Sequence, residues 1–143
     1  MNTPSWLIAV DGSAPSLNAV DHVVTEAACR LVKPRVFLLN VQAPLSSDIT
    51  RFIEGKVVED YHREAGDAAL AAAKQKLESA SLAYSAHIMI GETAPTIVGF
   101  AQDKGCSMIV MGAHGFGSVT GLFMGSVTVK VVQLSKLPVL LVK

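Results

Sequence analysis

The chain of 143 residues is half hydrophobic and 17% charged, and its twelve basic and twelve acidic side chains cancel. These proportions argue against extensive disorder, and a balanced charge with no cationic stripe gives no support to nucleic-acid binding. At this length one domain over residues 1–143 is expected, with a core large enough for a covered sheet. No run of about 18 apolar residues offers a membrane span. The N-terminus, Met1-Asn2-Thr3-Pro4-Ser5, lacks the basic segment of a secretory signal, so a cytoplasmic location is expected. Two cysteines, Cys29 and Cys106, are too few for a disulfide framework and show no metal-ligand spacing; both are expected as buried thiols.

In chain order, Pro4 to Val10 is an apolar run containing Trp6, Leu7, Ile8 and Val10, and it ends at Asp11-Gly12-Ser13. A near-continuous hydrophobic strand suits a parallel sheet covered on both faces. Ser13 or Ser16 can cap the following helix, with Pro15 in its first turn. Leu17, Val20, Val24, Ala27 and Leu31 recur at three- or four-residue intervals and predict a helix that ends before Pro34. Arg35 to Val41 reads as the second strand, and Gln42 to about Thr50 as loop.

A long helix is expected over residues 51–80, burying Ile53, Val57, Tyr61, Ala65, Ala69, Ala72 and Ala73, with Gly66 weakening it locally without breaking it. Tyr84 to Ile90 reads as the third strand. Gly91-Glu92-Thr93-Ala94-Pro95 then turns the chain into a helix whose apolar face is Ile97, Phe100 and Ala101, with Gly105 at its C-terminal cap.

The most informative stretch runs from Met108 to Lys130. An apolar run, Met108 to Met111, ends at Gly112, and four more glycines follow at Gly115, Gly117, Gly121 and Gly125. Val127, Val131 and Leu134 then take helical spacing, so Gly125 and Ser126 open a helix. The first N–H groups of a helix lack intrahelical partners and carry partial positive charge. Glycines let an anion approach them, and Ser126 adds a hydroxyl donor. A phosphate site is the natural hypothesis. Residues 138–142 form a fifth strand.

Alternating strands and helices imply a parallel sheet with right-handed crossovers. Such a sheet binds ligands outside the carboxyl ends of its strands, where strand order reverses. Asp11, Val41 and Gly112 fall at that edge together with the glycine loop.

The spacing Gly112-x2-Gly115-x9-Gly125-Ser126 resembles the nucleotide-binding signature of the universal stress protein family. V-D-G-S after the first strand, L-L-N-V-Q-A-P after the second, M-G-A-H-G, G-S-V-T and the closing L-P-V-L-L-V extend the resemblance along the whole chain. It implies a Rossmann-like, doubly wound α/β fold: a five-stranded parallel sheet of order 3-2-1-4-5 with helices on both faces. It also implies a stress-response regulatory or sensing module that binds ATP or AMP, with Mg²⁺ as a possible companion ion. Ala9 and Val10 would then border the adenosine, Asp11 would lie at the ribose and phosphates, and the Val41 backbone would recognise adenine. Gly112 would approach the ribose, and Gly115, Gly125, Ser126 and Val127 would hold phosphates. Members of the family commonly dimerise through the last strand, so the resemblance implies a homodimer through residues 138–142.

Between Gly115 and Gly125 there is no lysine or arginine. Phosphate charge would fall to amides, the helix dipole, a divalent ion or Lys130. Phe116, Leu122, Phe123 and Met124 are available to cover a ligand or touch a partner. His114 reads as a tolerated loop residue within the motif, and His22, His62 and His87 as surface or strand residues without metal spacing. No residue is assigned a catalytic role. Two other readings stay open: a slow Mg²⁺-dependent ATP hydrolase using Asp11 and Ser126, and a dimeric partner-binding protein that uses no nucleotide. The chain has no G-x-x-x-x-G-K-[ST] loop and no G-x-G-x-x-G after the first strand, which disfavours a P-loop NTPase and a dinucleotide dehydrogenase.

Overall fold

A computed structural model describes residues 3–116 and 124–143. Among them the elements are β1 (Ser5–Ala9), α1 (Ala14–Ala28), β2 (Arg35–Gln42), α2 (Ser47–Thr50), α3 (Gly55–Ser79), β3 (Tyr84–Ile90), α4 (Thr93–Asp103), β4 (Met108–Gly112), α5 (Ser126–Leu134) and β5 (Val139–Val142). The strands form one five-stranded sheet of order β3-β2-β1-β4-β5, and every pairing is parallel. This is the order the family resemblance implies.

Side chains alternate across the sheet, so each strand feeds two cores. Trp6, Ile8, Val10, Val36 and Leu38 meet α1 and α3 on one face. Leu7, Phe37, Leu39, Ile109 and Met111 meet α4 and α5 on the other. Helices therefore cover both faces. None of the helices among the described residues is long and apolar enough to cross a membrane.

The ends of α1 follow from side-chain chemistry. Ser13 is its N-cap, accepting the Ser16 N–H, and Pro15 stands in the first turn. At the other end the Ala27 carbonyl accepts the Arg30 N–H at 3.2 Å and a second donor, Lys33 Nζ, at 2.9 Å, as the carbonyls of a last helical turn are free to do. The helix stops at Ala28, three residues short of Leu31, which is fully exposed rather than on the buried face. Cys29, expected to be buried, is exposed for the same reason, whereas Cys106 is buried.

Two further expectations are corrected. The segment before α3 is not all loop: the Ser46 hydroxyl caps one turn of helix, α2, and α3 begins only at Gly55. The buried stripe of α3 is also rotated from the expected one. It consists of His62, Gly66, Leu70, Ala73 and Leu77, while Val57, Tyr61 and Ala72 are exposed and Ile53, Ala65 and Ala69 are half-buried. Gly66 explains the rotation. A Cβ there would lie 2.5 Å from Cδ1 of Ile88 on β3, so the glycine marks the closest approach of helix to sheet rather than a weak point. One residue is 100° of helix, and seating Gly66 turns Tyr61 outward and His62 inward. His62, expected at the surface or on a strand, is 3% exposed.

On α5 the buried stripe is Thr128 and Val131, with Val127 half-buried; Leu134, at the helix end, is exposed. Gly105 has a φ of +66° just past the end of α4, as a helix-terminating glycine requires.

Candidate functional site

The carboxyl ends of β1, β2 and β4 open onto a cleft of about 290 Å³. All nine residues singled out from the sequence line it: Ala9, Val10, Asp11, Val41, Gly112, Gly115, Gly125, Ser126 and Val127. They come from four separate segments, brought together where the chain passes from β1 outward to β2 and β3 on one side and to β4 and β5 on the other. Gly117, Gly121, Leu122 and Phe123 lie outside the described residues.

The β1–β2 wall is fixed by an amide. The Val10 N–H donates to the Leu39 carbonyl at 2.8 Å. Asn40 in turn donates from Nδ2 to the Val10 carbonyl at 2.8 Å, and its Oδ1 accepts from Gln42. Asn40 is 3% exposed. Buried amides of this kind are held by their partners and hold them in return, so the strand end that carries Val10 and Asp11 is tied to β2. Leu39, Val41, Ile97 and Met111 supply the apolar part of the lining.

Asp11 serves two ends at once. Its Oδ1 accepts the Ser13 N–H at 2.8 Å, a local turn that leads into α1. Its Oδ2 lies 2.7 Å from where a Cβ on Gly115 would stand. A side chain at Gly115 would have to displace that carboxylate. Gly12, between Asp11 and Ser13, has a φ of +86°, a conformation that glycine reaches without strain.

Gly112 has a different neighbour. A Cβ there would come within 2.8 to 2.9 Å of Pro15 and the Ser16 nitrogen. The missing side chain thus lets the start of α1 lie directly against the end of β4. The opposite end of the loop is anchored by the Gly125 N–H, which donates to the Ala113 carbonyl at 2.9 Å. The buried Thr128 hydroxyl is placed between the carbonyls of Gly112 and Ala113, at 3.2 and 3.3 Å. Gly125 is the N-cap of α5 and provides no side-chain cap, leaving first-turn amides beside Ser126 and Val127 for an outside acceptor.

Asp11 and His114 are the ionisable residues among the described lining. The His114 Nδ1 is enclosed and finds no partner among the described residues. The described residues contain no group of three or more His, Cys, Asp or Glu that could hold a metal ion. A divalent ion here would be carried chiefly by ligand oxygens, with Asp11 as the nearby carboxylate.

Sequence reading did not single out Ser16, Leu39, Asn40, Thr93, Ile97, Met111 or Thr128 as site residues, and it left His114 without a binding role; Phe116, which it offered as a cover for a ligand or a partner contact, lines the cleft. Asn40 carried a usable signal. An amide in the apolar strand L-L-N-V must find a partner once buried, and Asn40 immediately precedes Val41.

Fold and cleft define a class: a doubly wound, all-parallel α/β chain whose cleft lies at the reversal of strand order. The universal stress protein family model matches residues 6–143. The chain is 30% identical to the universal stress protein YxiE of Bacillus subtilis, over 96% of this chain and 97% of that one. The solved structure of MJ0577 of Methanocaldococcus jannaschii superimposes with a TM-score of 0.84 at 28% identity, covering 100% of this chain and 97% of the other. A universal stress protein family structure from Arabidopsis thaliana with AMP bound shares the fold, with a TM-score of 0.67 and 17% identity, covering 98% and 91%. The chain belongs to the universal stress protein family.

Proposed function

We propose that this protein binds an adenine nucleotide, ATP or AMP, in the cleft at the ends of β1, β2 and β4, and acts as a stress-response regulatory or sensing module. One observation carries the reading: nine residues scattered from Ala9 to Val127 line a single cleft at the reversal of strand order. Each region has chemistry suited to part of a nucleotide. The apolar lining from Leu39, Val41, Ile97 and Met111 suits a base, whose edge one backbone N–H and one C=O of Val41 can pair. The Asp11 carboxylate suits ribose hydroxyls. The start of α5, with Gly125 and Ser126, suits a phosphate. The AMP-bound relative supports an adenine nucleotide as the ligand class. Where the ligand is ATP, Mg²⁺ would arrive on its phosphates.

Thermal unfolding with Mg²⁺ and ATP, ADP, AMP or GTP tests the proposal. A ligand at 100 times its dissociation constant adds about 2.7 kcal/mol of stability, so adenine nucleotides should raise the melting temperature while GTP leaves it in place. No shift with any adenine nucleotide would refute it. The reading extends to a cytoplasmic homodimer of a single domain over residues 1–143, paired through residues 138–142. β5 is an edge strand of half-buried apolar residues, and such an edge favours pairing. Light scattering at micromolar concentration should return the dimer mass; a monomer would contradict this arrangement.

A further inference from the structure

We infer that the cleft selects adenine nucleotides of low negative charge, and that Asp11 sets the limit. The inference rests on the adenine-nucleotide reading above and concerns which members of that class the site accepts. Asp11 is the one acidic residue among the described lining, and that lining contains no lysine or arginine. His114, the other titratable lining residue, offers at most one unit of positive charge. The sequence from Gly105 to Val129 holds no lysine or arginine, so no permanent cation is available from the glycine loop. Lys130 ends that run, but its Nζ lies 3.8 Å from Glu92, the N-cap of α4, outside the cleft lining.

One Asp11 carboxylate oxygen accepts the Ser13 N–H at 2.8 Å, and the other lies 2.7 Å from where a Cβ on Gly115 would stand, which places the charge beside the glycine loop. A carboxylate accepts hydrogen bonds and donates none, so it complements the hydroxyls of a ribose and repels a phosphate. The start of α5 provides the equivalent of about half a positive charge, less than the charge of a single phosphate group. Every added phosphate raises the repulsion from Asp11, with no lysine or arginine among the described lining to offset it. Adenosine monophosphate and its cyclic ester fit this balance; free ATP does not, unless a divalent ion neutralises it.

Titration calorimetry on the full chain at low ionic strength tests this with adenosine, AMP, cyclic AMP and ATP, in excess EDTA and then with Mg²⁺. In EDTA, AMP should bind at least about tenfold more tightly than ATP, and Mg²⁺ should narrow the gap. Asp11→Asn keeps the oxygen that accepts the Ser13 N–H and removes the charge, so it should tighten free ATP several-fold relative to AMP. Phe116→Lys is a second variant at an exposed lining residue, and it should shift the ratio the same way. Equal or tighter binding of ATP in EDTA would overturn the inference while leaving the adenine-nucleotide reading standing. So would an ATP-to-AMP ratio that neither variant moves. Failure of every adenine compound to bind the wild type would overturn the reading beneath it as well.

Discussion

The two walls of the cleft are held by opposite means. On the β1–β2 side a side chain does the work: Asn40 is buried and reaches across to the Val10 carbonyl. On the β4–α5 side it is the lack of side chains that matters, at Gly112 against α1 and at Gly115 against Asp11. The first wall gains from an added hydrogen bond, and the second from close approach to bare backbone, by the start of α1 at Gly112 and by a carboxylate at Gly115. Substitutions should therefore fail in opposite directions, by deletion on one wall and by addition on the other.

The largest effect is expected at Gly112. A methyl group there would meet backbone atoms of Pro15 and Ser16 within 3 Å, and backbone cannot step aside as a flexible side chain can. Gly112→Ala should cost about 3 kcal/mol, at the upper end for overpacking, read as a lowered urea midpoint with an unchanged slope. A variant as stable as the wild type would show that β4 and α1 are not held by this contact. Such a result would erase the contrast between the walls.

Next comes the deletion. Asn40→Leu keeps the branched shape but leaves the Val10 carbonyl without its side-chain donor, at a cost of about 1–3 kcal/mol. Because Val10 and Val41 both line the cleft, nucleotide affinity should fall with stability. Asn40→Asp sharpens the test, since it keeps the shape and replaces the donor with a second acceptor. If both variants keep wild-type stability and affinity, the wall stands on its strand pairing alone.

This contrast also explains what was legible in the sequence. The glycine wall could be read in advance because glycines at fixed intervals, between an apolar run and a helical pattern, leave few physical uses. The helix at Ser126 and the convergence of Asp11, Val41 and Gly112 followed from that stretch and from the alternation of elements, whereas the strand order came with the family resemblance. The Asn40 wall was not singled out, because one amide in a strand acquires meaning only when the register sets it beside Val10. Helix faces were legible only where a single apolar stripe existed. In α3, alanines and aromatics offered several stripes, and the choice fell to Gly66, whose contact with Ile88 on β3 no local pattern encodes. Leu31 and Cys29 were misplaced by a helix end that Lys33 closes from beyond it.

The smallest effect lies just behind the Asn40 wall. His87 on β3 is the register partner of Leu39, which lines the cleft, and its ring packs 5.0 Å from Phe100 and 6.1 Å from Phe37. Burial lowers its pKa, and the Lys104 charge lowers it further. A histidine whose folded pKa lies below its unfolded value of about 6.5 takes up its proton more readily in the unfolded chain. Its contribution to stability is complete above that value and is lost as the pH falls through the folded one. His87→Phe replaces the imidazole with a ring that matches its neighbours and cannot be charged. Between about pH 7 and about pH 5, the melting temperature of the wild type should fall more than that of the variant, with the excess confined to the acid side. Gly112→Ala should keep the wild-type slope, because its wall lies across β1 from His87. Parallel curves for wild type and His87→Phe would show that the aromatic cluster accepts the charged ring, and that acid weakens the two walls alike.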